Sequence, residues 1–390
     1  MKRESEVDGG LSRSLLEQQS DDGSEGGGDN GEEVVGESSS AVTVVLLFTT
    51  LVAVCGTFGS GCALGYSSQA ESGIMEDLGL SLAEYSVFGS MSAAGGTLGA
   101  LVCGKITDLI GRRGALWLSE VFCFAGWLAI AFSKGAWSLD LGRLSVGTGV
   151  AVLTYVAPVY VAEISPKNLR GGLTVFNQFV LCLGMSTIYF VGNIISWRVL
   201  ALIGALPALL QLIGLFFIPE SPRWLAKNGQ EKGCESVLRR LRGRNADIDQ
   251  EAAEIRDYIE SLKLQPQNKF WEMFQRKYAY ALTVGVGLMA LQQTSGATGI
   301  ACYASSVFEM AGFSSSVGTA SMAAIQIPST ALGVFLMDRW GRRPLLIVSA
   351  AGMCFACFLA GMSILFQDFQ WLSDVTPALV YIALLVMHYD

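Results

Sequence analysis

Carboxylates and arginines occur together at four places in the sequence, each time at an end of an apolar segment. The motif Asp-x-x-Gly-Arg-Arg stands at 108–113 and again at 338–343, which is 230 residues further on. The other two places are 163–170 and 219–223. Such charges form ion pairs that could latch helices together in one state and release them in another, whereas the alternative is simple anchoring of each segment end by basic side chains. Four motifs together favour a gate, with the candidate residues Asp108, Arg112, Arg113, Glu163, Arg170, Glu220, Arg223, Asp338, Arg342 and Arg343.

A second group of polar residues lies inside an apolar segment near 279–300. Helical spacing of i, i+3, i+4, i+7 and i+11 places five residues on one face: Gln292, Ser295, Gly296, Gly299 and Tyr303. An amide in apolar surroundings costs free energy unless it faces a partner or a wet cavity. The sequence therefore predicts that Gln292 and its neighbour Gln293 face a polar ligand, or that they make amide contacts between helices.

Residues for catalysis and metal binding are scarce. The chain has a single histidine, His388, and none of the patterns G-x-S-x-G, P-loop or H-E-x-x-H. Its nine cysteines have no framework spacing, and eight lie in or beside apolar segments, where free thiols behave as small hydrophobes. We therefore expect no enzyme, no metal site and no cofactor. The net charge of −8 also argues against a nucleic-acid partner.

Apolar stretches long enough to cross a bilayer dominate the chain. Hydrophobic residues make up 51% and charged residues 15%, whereas soluble domains carry about 25% charged residues. Stretches of about 18–25 apolar residues predict membrane-spanning helices. Nine are found, near 42–66, 86–107, 114–133, 140–162, 173–195, 199–218, 279–300, 316–337 and 345–366, and a tenth begins near 375. Because only regular backbone is stable in lipid, these predict an all-α membrane bundle that contacts the lipid bilayer.

Basic residues predict the orientation. With the N-terminus in the cytosol, cytosolic loops carry 20 lysines and arginines and the opposite loops carry only Lys134 and Arg198. Residues 1–40 are rich in Gly, Ser, Asp and Glu and predict a disordered cytosolic tail. Within that tail, the leucines Leu11, Leu15 and Leu16 are either a chance cluster or a dileucine-type sorting signal.

The long loop 219–277 predicts short amphipathic helices. Ala252, Ile255, Ile259 and Leu262 recur at helical spacing, as do apolar residues of the preceding segment. Asp247 and Asp249 are possible N-caps. We expect the apolar faces of these helices to pack on the bundle rather than bind a separate partner.

Several spaced motifs together resemble the sugar porter family of the major facilitator superfamily. They are Gly142-Arg143, Pro158-x-Tyr160-x-x-Glu163, Arg170-Gly171, Asn177-Gln178, the Pro219–Trp224 run, Gln292-Gln293-Thr-Ser295-Gly296 and both Asp-x-x-Gly-Arg-Arg copies. The stretch Gly-Ser-Gly-Cys-Ala-Leu-Gly-Tyr-Ser-Ser at 59–68 is similar to the plant early-dehydration-induced (ERD-six-like) sugar transporters. The resemblance covers about 40–387 and implies the major facilitator fold with two six-helix bundles.

The resemblance also implies a function and a binding site. It implies a transporter that moves monosaccharides such as glucose or fructose by alternating access. A sugar presents many hydroxyls, and a glutamine amide supplies a donor and an acceptor together. By resemblance, the sugar would be held by Gln178, Gln292, Gln293 and Gln326, and Thr298 stands where many family members have asparagine.

Coupling to protons is a separate question. Proton-coupled sugar porters carry an aspartate in the first helix in a Gly-Tyr-Asp context, and the matching position is expected at Gly61, in a helix without any carboxylate. Arg143 then lacks that acidic partner, so the hypothesis is facilitated diffusion. Glu120, inside the third span, is expected to pair with the arginines of the cytosolic cluster.

The repeat of 230 residues also sets an expectation for the second half. Counterparts of Glu163 and Pro219 would lie beyond residue 390, so we expect an incomplete second bundle with about nine and a half of twelve helices. The expected regions are the tail 1–40, a first bundle 41–218, the cytosolic loop 219–277 and an incomplete bundle 278–390.

Three interpretations of the function remain open. The first is a monosaccharide facilitator favoured in the vacuolar membrane, with the plasma membrane as the other location. The second is a non-transporting shortened form that regulates a full-length partner, and the third is a transporter of inositol or another polyol. The sequence does not indicate an oligomeric state.

Overall fold

The protein is almost entirely helical in the parts that the structure describes. This computed structural model describes residues 43–166, 168–243, 246–264, 276–294, 303–310, 314–340, 342–367 and Tyr381. Within these ranges there are twelve helices and no strand. The helices are α1 (Val44–Leu78), α2 (Leu82–Ala131), α3 (Ala136–Ile164), α4 (Arg170–Val191), α5 (Trp197–Gly214), α6 (Pro222–Lys227), α7 (Glu231–Arg242), α8 (Asp249–Leu264), α9 (Arg276–Thr294), α10 (Ala304–Met310), α11 (Ser315–Trp340) and α12 (Arg342–Gln367). The predicted all-α class is confirmed.

Five of the described helices, α1 to α5, are long and apolar enough to cross a membrane. The helix α12 adds a shorter apolar stretch, Arg343–Leu359. The two spans predicted at 86–107 and 114–133 are the two arms of α2, and the structure agrees with the prediction that they are separate helices. They are separated by Gly111, whose φ of 84° breaks the helical geometry inside α2. Because glycine has no Cβ, it adopts this conformation at little steric cost.

Small residues bring the first five helices close together. A Cβ atom on Gly95 of α2 would overlap the backbone oxygen of Leu144 in α3, and one on Gly61 of α1 would overlap that of Leu181 in α4. Apolar side chains are no more favourable against each other than against lipid tails, so close backbone packing contributes much of the association of membrane helices. These glycines therefore allow α2 to pack closely on α3, and α1 on α4.

Three short helices, α6 to α8, form a layer at one end of this bundle. Ser221 caps α6 by accepting a hydrogen bond from the Trp224 backbone N–H, and Pro222 occupies the first turn. The apolar faces of the three helices pack mainly on one another, in a cluster of Leu225, Cys234, Leu238, Ile248, Ile255 and Ile259. The expectation that these faces pack on the bundle is met only in part, through Leu241, which joins the bundle core.

The layer defines two ends of the molecule. Thr43, at the start of α1, donates a hydrogen bond to the Leu241 carbonyl oxygen at the end of α7. We call this the latch end, and the end near Leu78 the opposite end. Burial within the layer raises the pKa of the Cys234 thiol to about 11, so it stays protonated at neutral pH.

The second half of the chain meets the first half through α10 and α11. Towards the opposite end, Ser305 of α10 hydrogen-bonds Ser68 of α1 through its hydroxyl and its backbone N–H, each at 2.9 Å. Tyr303, just before α10, contacts the ring of Tyr85 in α2 edge-on at 6.4 Å between ring centroids. Further along, α11 packs on α4. These contacts position the polar residues described next.

Candidate functional site

An ion pair at the latch end joins the middle of α2 to the end of α3. The Arg112 Nε and Nη2 atoms each donate a hydrogen bond of 2.9 Å to a carboxylate oxygen of Glu163. The two side chains are 13% and 12% exposed. Ser221 donates a further hydrogen bond of 2.5 Å to Glu163. A paired geometry of this kind is both stronger and more directional than a single contact between charges.

Glu220 holds the kink of α2 from the other side. Its carboxylate accepts hydrogen bonds from the backbone N–H groups of Arg112 at 2.9 Å and Arg113 at 3.1 Å. These are the groups that the break at Gly111 leaves without a helical partner. Burial raises the pKa of Glu220, while the backbone donors of Ser221, Arg113 and Arg112 act in the opposite direction. The carboxylate of Glu220 thus replaces a helix cap at the kink.

The other predicted gate residues of the first half lie around this pair with different roles. Asp108 is paired with Lys227 at 3.0 Å, on the surface. Arg170 donates to the Ala162 carbonyl oxygen at 2.9 Å and so caps the last turn of α3. Arg223 lies over the ring of Tyr258, 5.7 Å from its centroid. Of the four arginines predicted to form a gate in this half, Arg112 is the one that pairs with Glu163 in the described structure.

The second copy of the motif spans the junction of α11 and α12. Asp338 belongs to the last turn of α11, and Arg342 and Arg343 begin α12. Gly341 lies outside the described residues. The role of this copy in a gate stays a prediction.

The predicted sugar-binding amides fall into two groups. Gln178 on α4 is exposed, as are Gln292 and Gln293 on α9. Gln326 on α11 is only 9% exposed and lies against α4, where its side-chain oxygen accepts a hydrogen bond of 3.1 Å from Ser186. Thr298 lies outside the described residues, as do Leu11, Leu15 and Leu16 of the predicted sorting signal.

Arg143 is buried inside the first bundle and meets a hydroxyl from α1. Its Nη2 atom donates to Ser67 Oγ at 2.6 Å and to the Ala63 carbonyl oxygen at 3.0 Å. The sequence-based assignment of Gly61 to this position is wrong, because Gly61 packs against α4 instead. The residues Gly65-Tyr66-Ser67 match the Gly-Tyr-Asp context, with serine in place of the aspartate. The pair Gly65-Tyr66 is therefore the sequence signal that identifies Ser67 as the matching position.

The expectation of a first helix without carboxylates is also wrong. The helix α1 continues to Leu78, beyond the apolar stretch that ended the prediction at residue 66, and it carries Glu71, Glu76 and Asp77. Of these, Glu71 is 5% exposed and lies one turn beyond Ser67, beside Ser306 of α10. The apolar stretch ends before the helix does, because a helix can continue past its apolar segment where its polar residues pack against protein.

The expected pairing of Glu120 with the arginines of the cytosolic cluster is wrong as well. Glu120 is 1% exposed, and no arginine or lysine of the described ranges lies within ion-pair distance. Its carboxyl lies next to the amide of Gln211 from α5, in space left by Gly56 of α1. Glu120 thus faces the interior of the bundle, beside α1 and α5.

The sequence matches a known protein family over most of its length. Residues 62–390 match the family described as Sugar (and other) transporter. The chain is 49% identical to Sugar transporter ERD6-like 17 of Arabidopsis thaliana over 338 residues, which cover 87% of this chain and 71% of that protein. It is 48% identical to Sugar transporter ESL1 of Arabidopsis thaliana over 330 residues, which cover 85% of this chain and 70% of that protein.

Solved structures of a bacterial transporter have a similar fold. The xylose transporter XylE from E. coli, in a partially occluded inward open conformation, superposes with a TM-score of 0.71 at 24% identity, covering 88% of this chain and 85% of that chain. The proton:xylose symporter XylE bound to 6-bromo-6-deoxy-D-glucose superposes with a TM-score of 0.70 at 25% identity, covering 88% and 80%. The fold of the described helices is therefore that of the major facilitator superfamily.

Proposed function

Because the chain belongs to the sugar (and other) transporter family, we propose that it moves a monosaccharide across a membrane by facilitated diffusion. Glucose, fructose or a similar sugar is the substrate, and alternating access is the mechanism. The contact between Arg143 and Ser67 is the observation that supports transport without coupling to protons. A hydroxyl at this position has no proton to exchange at physiological pH, whereas an aspartate beside a guanidinium would.

We place the sugar in a cleft beside the interface of α4 and α11, and the polar residues there support a sugar as the ligand. Gln178 lies one turn before Cys182, which contacts Thr330 of α11. Gln178 thus stands at the edge of the interface between α4 and α11, and Gln326 stands within it. With Gln292, Gln293 and Thr298 from the seventh span, these residues would surround a sugar with amide donors and acceptors.

The ion pair of Arg112 with Glu163, which we call the latch, and the helix α10 support alternation between two open states. With the latch end in the cytosol, as its excess of basic residues supports, the contacts of Ser305 with Ser68 close the opposite side of the cleft. Opening that side requires separation of α10 from α1, and closing the cytosolic side requires the second half to approach the latch. A ligand that binds midway between the two ends is then exposed to one side at a time.

Transport by purified protein tests the proposal. The 390-residue chain is reconstituted in vesicles, and uptake of labelled glucose, fructose and inositol is followed with and without an imposed pH gradient. We expect saturable monosaccharide uptake that stops at equal concentrations and is unchanged by the gradient or by a protonophore. Accumulation above equilibrium that depends on the gradient and disappears in Glu71→Gln would overturn facilitated diffusion. Uptake of inositol alone would support a polyol transporter, and no saturable uptake would support a regulatory form.

Substitution of the cleft amides tests the site. Gln178→Ala and Gln292→Ala each remove a hydrogen-bonding group worth about 1 kcal/mol, so the KM for the sugar is expected to rise about fivefold. Gln230→Ala is the matched control, because Gln230 is an exposed glutamine at the start of α7, away from the cleft. An equal effect of all three substitutions would contradict this placement of the sugar.

We propose the vacuolar membrane as the location, with the leucine cluster of the N-terminal tail as the sorting signal. A fluorescent fusion in plant cells compares the natural chain with a variant in which Leu11, Leu15 and Leu16 are alanine. We expect the natural fusion at the vacuolar membrane and the variant at the plasma membrane. Unchanged vacuolar targeting of the variant would exclude the sorting role.

A further inference from the structure

The amide of Gln326 is held by two different side chains of α4. Its oxygen, Oε1, accepts a hydrogen bond of 3.1 Å from the Ser186 hydroxyl, which is the shorter of the two contacts of this hydroxyl, since the Ala323 carbonyl oxygen lies at 3.4 Å. Its nitrogen, Nε2, lies 3.7 Å from the sulfur of Met185. The two ends of an amide have nearly the same shape but opposite hydrogen-bonding character, so these contacts determine which end is engaged.

The two contacts differ in strength. A hydroxyl that donates to an amide oxygen forms an ordinary hydrogen bond, whereas a thioether sulfur is a weak acceptor. The oxygen of Gln326 is therefore the end that remains bound to protein. The NH2 group is the end that a better acceptor, such as a sugar hydroxyl oxygen, can take from Met185.

The surroundings keep this arrangement rigid. Ser186 and Met185 are 2% and 5% exposed. Met185 is enclosed on its other side by α1, because a Cβ atom on Gly65 would lie only 3.2 Å from the Met185 carbonyl oxygen and 3.4 Å from its Cγ. Thr330, one turn further along α11, donates a hydrogen bond of 2.9 Å to the backbone carbonyl oxygen of Gln326, which leaves the side-chain amide to α4.

We infer that Ser186 is a positioning residue for sugar recognition: it binds the oxygen of the Gln326 amide, so that Gln326 presents only its NH2 donors to the sugar. The inference rests on the proposed function, in which Gln326 contacts the sugar. It assigns a chemical preference to that contact. The sugar position that meets Gln326 must accept a hydrogen bond, and it need not donate one.

Sugar analogues test this preference with the natural protein. A fluorine in place of a hydroxyl accepts a hydrogen bond but does not donate one, and a deoxy position does neither. We expect one ring position at which the deoxy sugar competes about fivefold less well than glucose while the fluoro sugar stays within about twofold. In Gln326→Ala the penalty for the deoxy sugar at that position should disappear. If fluoro and deoxy sugars lose equally there, Gln326 presents its oxygen and the inference is wrong.

Variants of Ser186 provide the second measurement. In Ser186→Ala the amide loses the bond that fixes its orientation, so KM for glucose is expected to rise about fivefold with kcat unchanged. Ser186→Thr keeps the hydroxyl and should restore KM to within about twofold. The matched control is Ser145→Ala, which also removes a hydroxyl bond between two helices, from Ser145 to the Phe122 carbonyl oxygen at 2.8 Å, away from Gln326.

The outcomes separate this inference from the proposed function. If the natural chain moves no sugar, the proposed function fails. If it moves sugar and Ser186→Ala changes only kcat, Ser186 is a contact between the two halves of the transporter, and the positioning role is wrong while the function stands. If Ser145→Ala raises KM as much as Ser186→Ala does, the effect is a general loss of helix packing and the inference is again wrong.

Discussion

The guanidinium of Arg143 donates a hydrogen bond of 2.6 Å to the hydroxyl of Ser67, and both side chains are 1% exposed. The aromatic rings of Tyr66 and Phe88 also flank the guanidinium, with centroids 5.9 Å and 5.4 Å from its central carbon. A buried cation is thus stabilised by carbonyl, hydroxyl and aromatic groups at a position where a carboxylate would bind it more strongly. We therefore propose that the identity of residue 67 influences how protons affect transport.

Replacement of Ser67 by aspartate should make transport dependent on protons. The new carboxylate would face Arg143, and its protonation would break an ion pair inside the bundle. We expect uptake by Ser67→Asp to vary with pH by up to about tenfold per unit, as one titrating group allows. The measurement is initial uptake in vesicles between pH 5 and pH 8, with the natural chain expected to vary little. Ser67→Asn is the control for size, and an equal pH dependence in that variant would contradict the role of the carboxylate.

Loss of the ion pair between Arg112 and Glu163 should destabilise the latch. Glu163→Gln removes the paired hydrogen bonds to Arg112 and leaves its guanidinium only the longer contact of 3.7 Å with the exposed Asp108. We expect a loss of about 1–3 kcal/mol in unfolding free energy, less than for a fully buried pair because both side chains keep some exposure. Thermal unfolding in detergent measures this loss. Lys227→Ala, which removes the exposed pair with Asp108, should cost at most about 1 kcal/mol. Equal shifts in the two variants would show that burial does not distinguish these pairs.

Neutralisation of Glu120 should be tolerated. The carboxyl has no basic partner among the described residues, so a neutral amide of the same shape avoids the cost of a buried charge. We expect Glu120→Gln to keep transport and to change the free energy of unfolding by less than about 1 kcal/mol. Uptake and thermal unfolding are measured on the same preparation. A folded variant without transport would instead assign Glu120 a direct part in the transport cycle.

Two neighbouring glycines in α2 should respond oppositely to alanine. At Gly95 a Cβ atom would overlap the Leu144 backbone oxygen, so Gly95→Ala must move α3 and is expected to cost about 1–3 kcal/mol or more. At Gly96 nothing lies within 4 Å of the same atom, so Gly96→Ala should gain up to about 1 kcal/mol from helix propensity. Unfolding temperatures of the two variants provide the comparison. A similar loss in both would mean that the close contact of α2 with α3 does not limit stability.

Much of the architecture follows from local sequence properties. Apolar length predicts the membrane helices, and the positions of Arg112, Glu163 and Glu220 at segment ends predict a charged cluster, because composition and loop position are properties of short stretches. The Gly-Tyr pair before Ser67 also contained the information needed to identify the partner of Arg143. The Gly-Tyr-Asp context was aligned with Gly61 when it should have been aligned with Gly65-Tyr66-Ser67, and this alignment needs no structure.

Other relationships depend on which helices are neighbours, and the sequence did not determine this. In membrane helices that are apolar on most sides, periodicity gives little indication of the inward face, and close packing at glycines decides the neighbours instead. Only the tertiary structure therefore showed that Glu120 faces Gln211, away from the latch, and that the Gln326 amide is held by Ser186. The carboxylate of Glu220 likewise reaches the kink at Gly111 only because this kink and the segment after α5 lie at the same face of the bundle. The sequence specifies the polar groups, and the packing of backbones decides which of them meet.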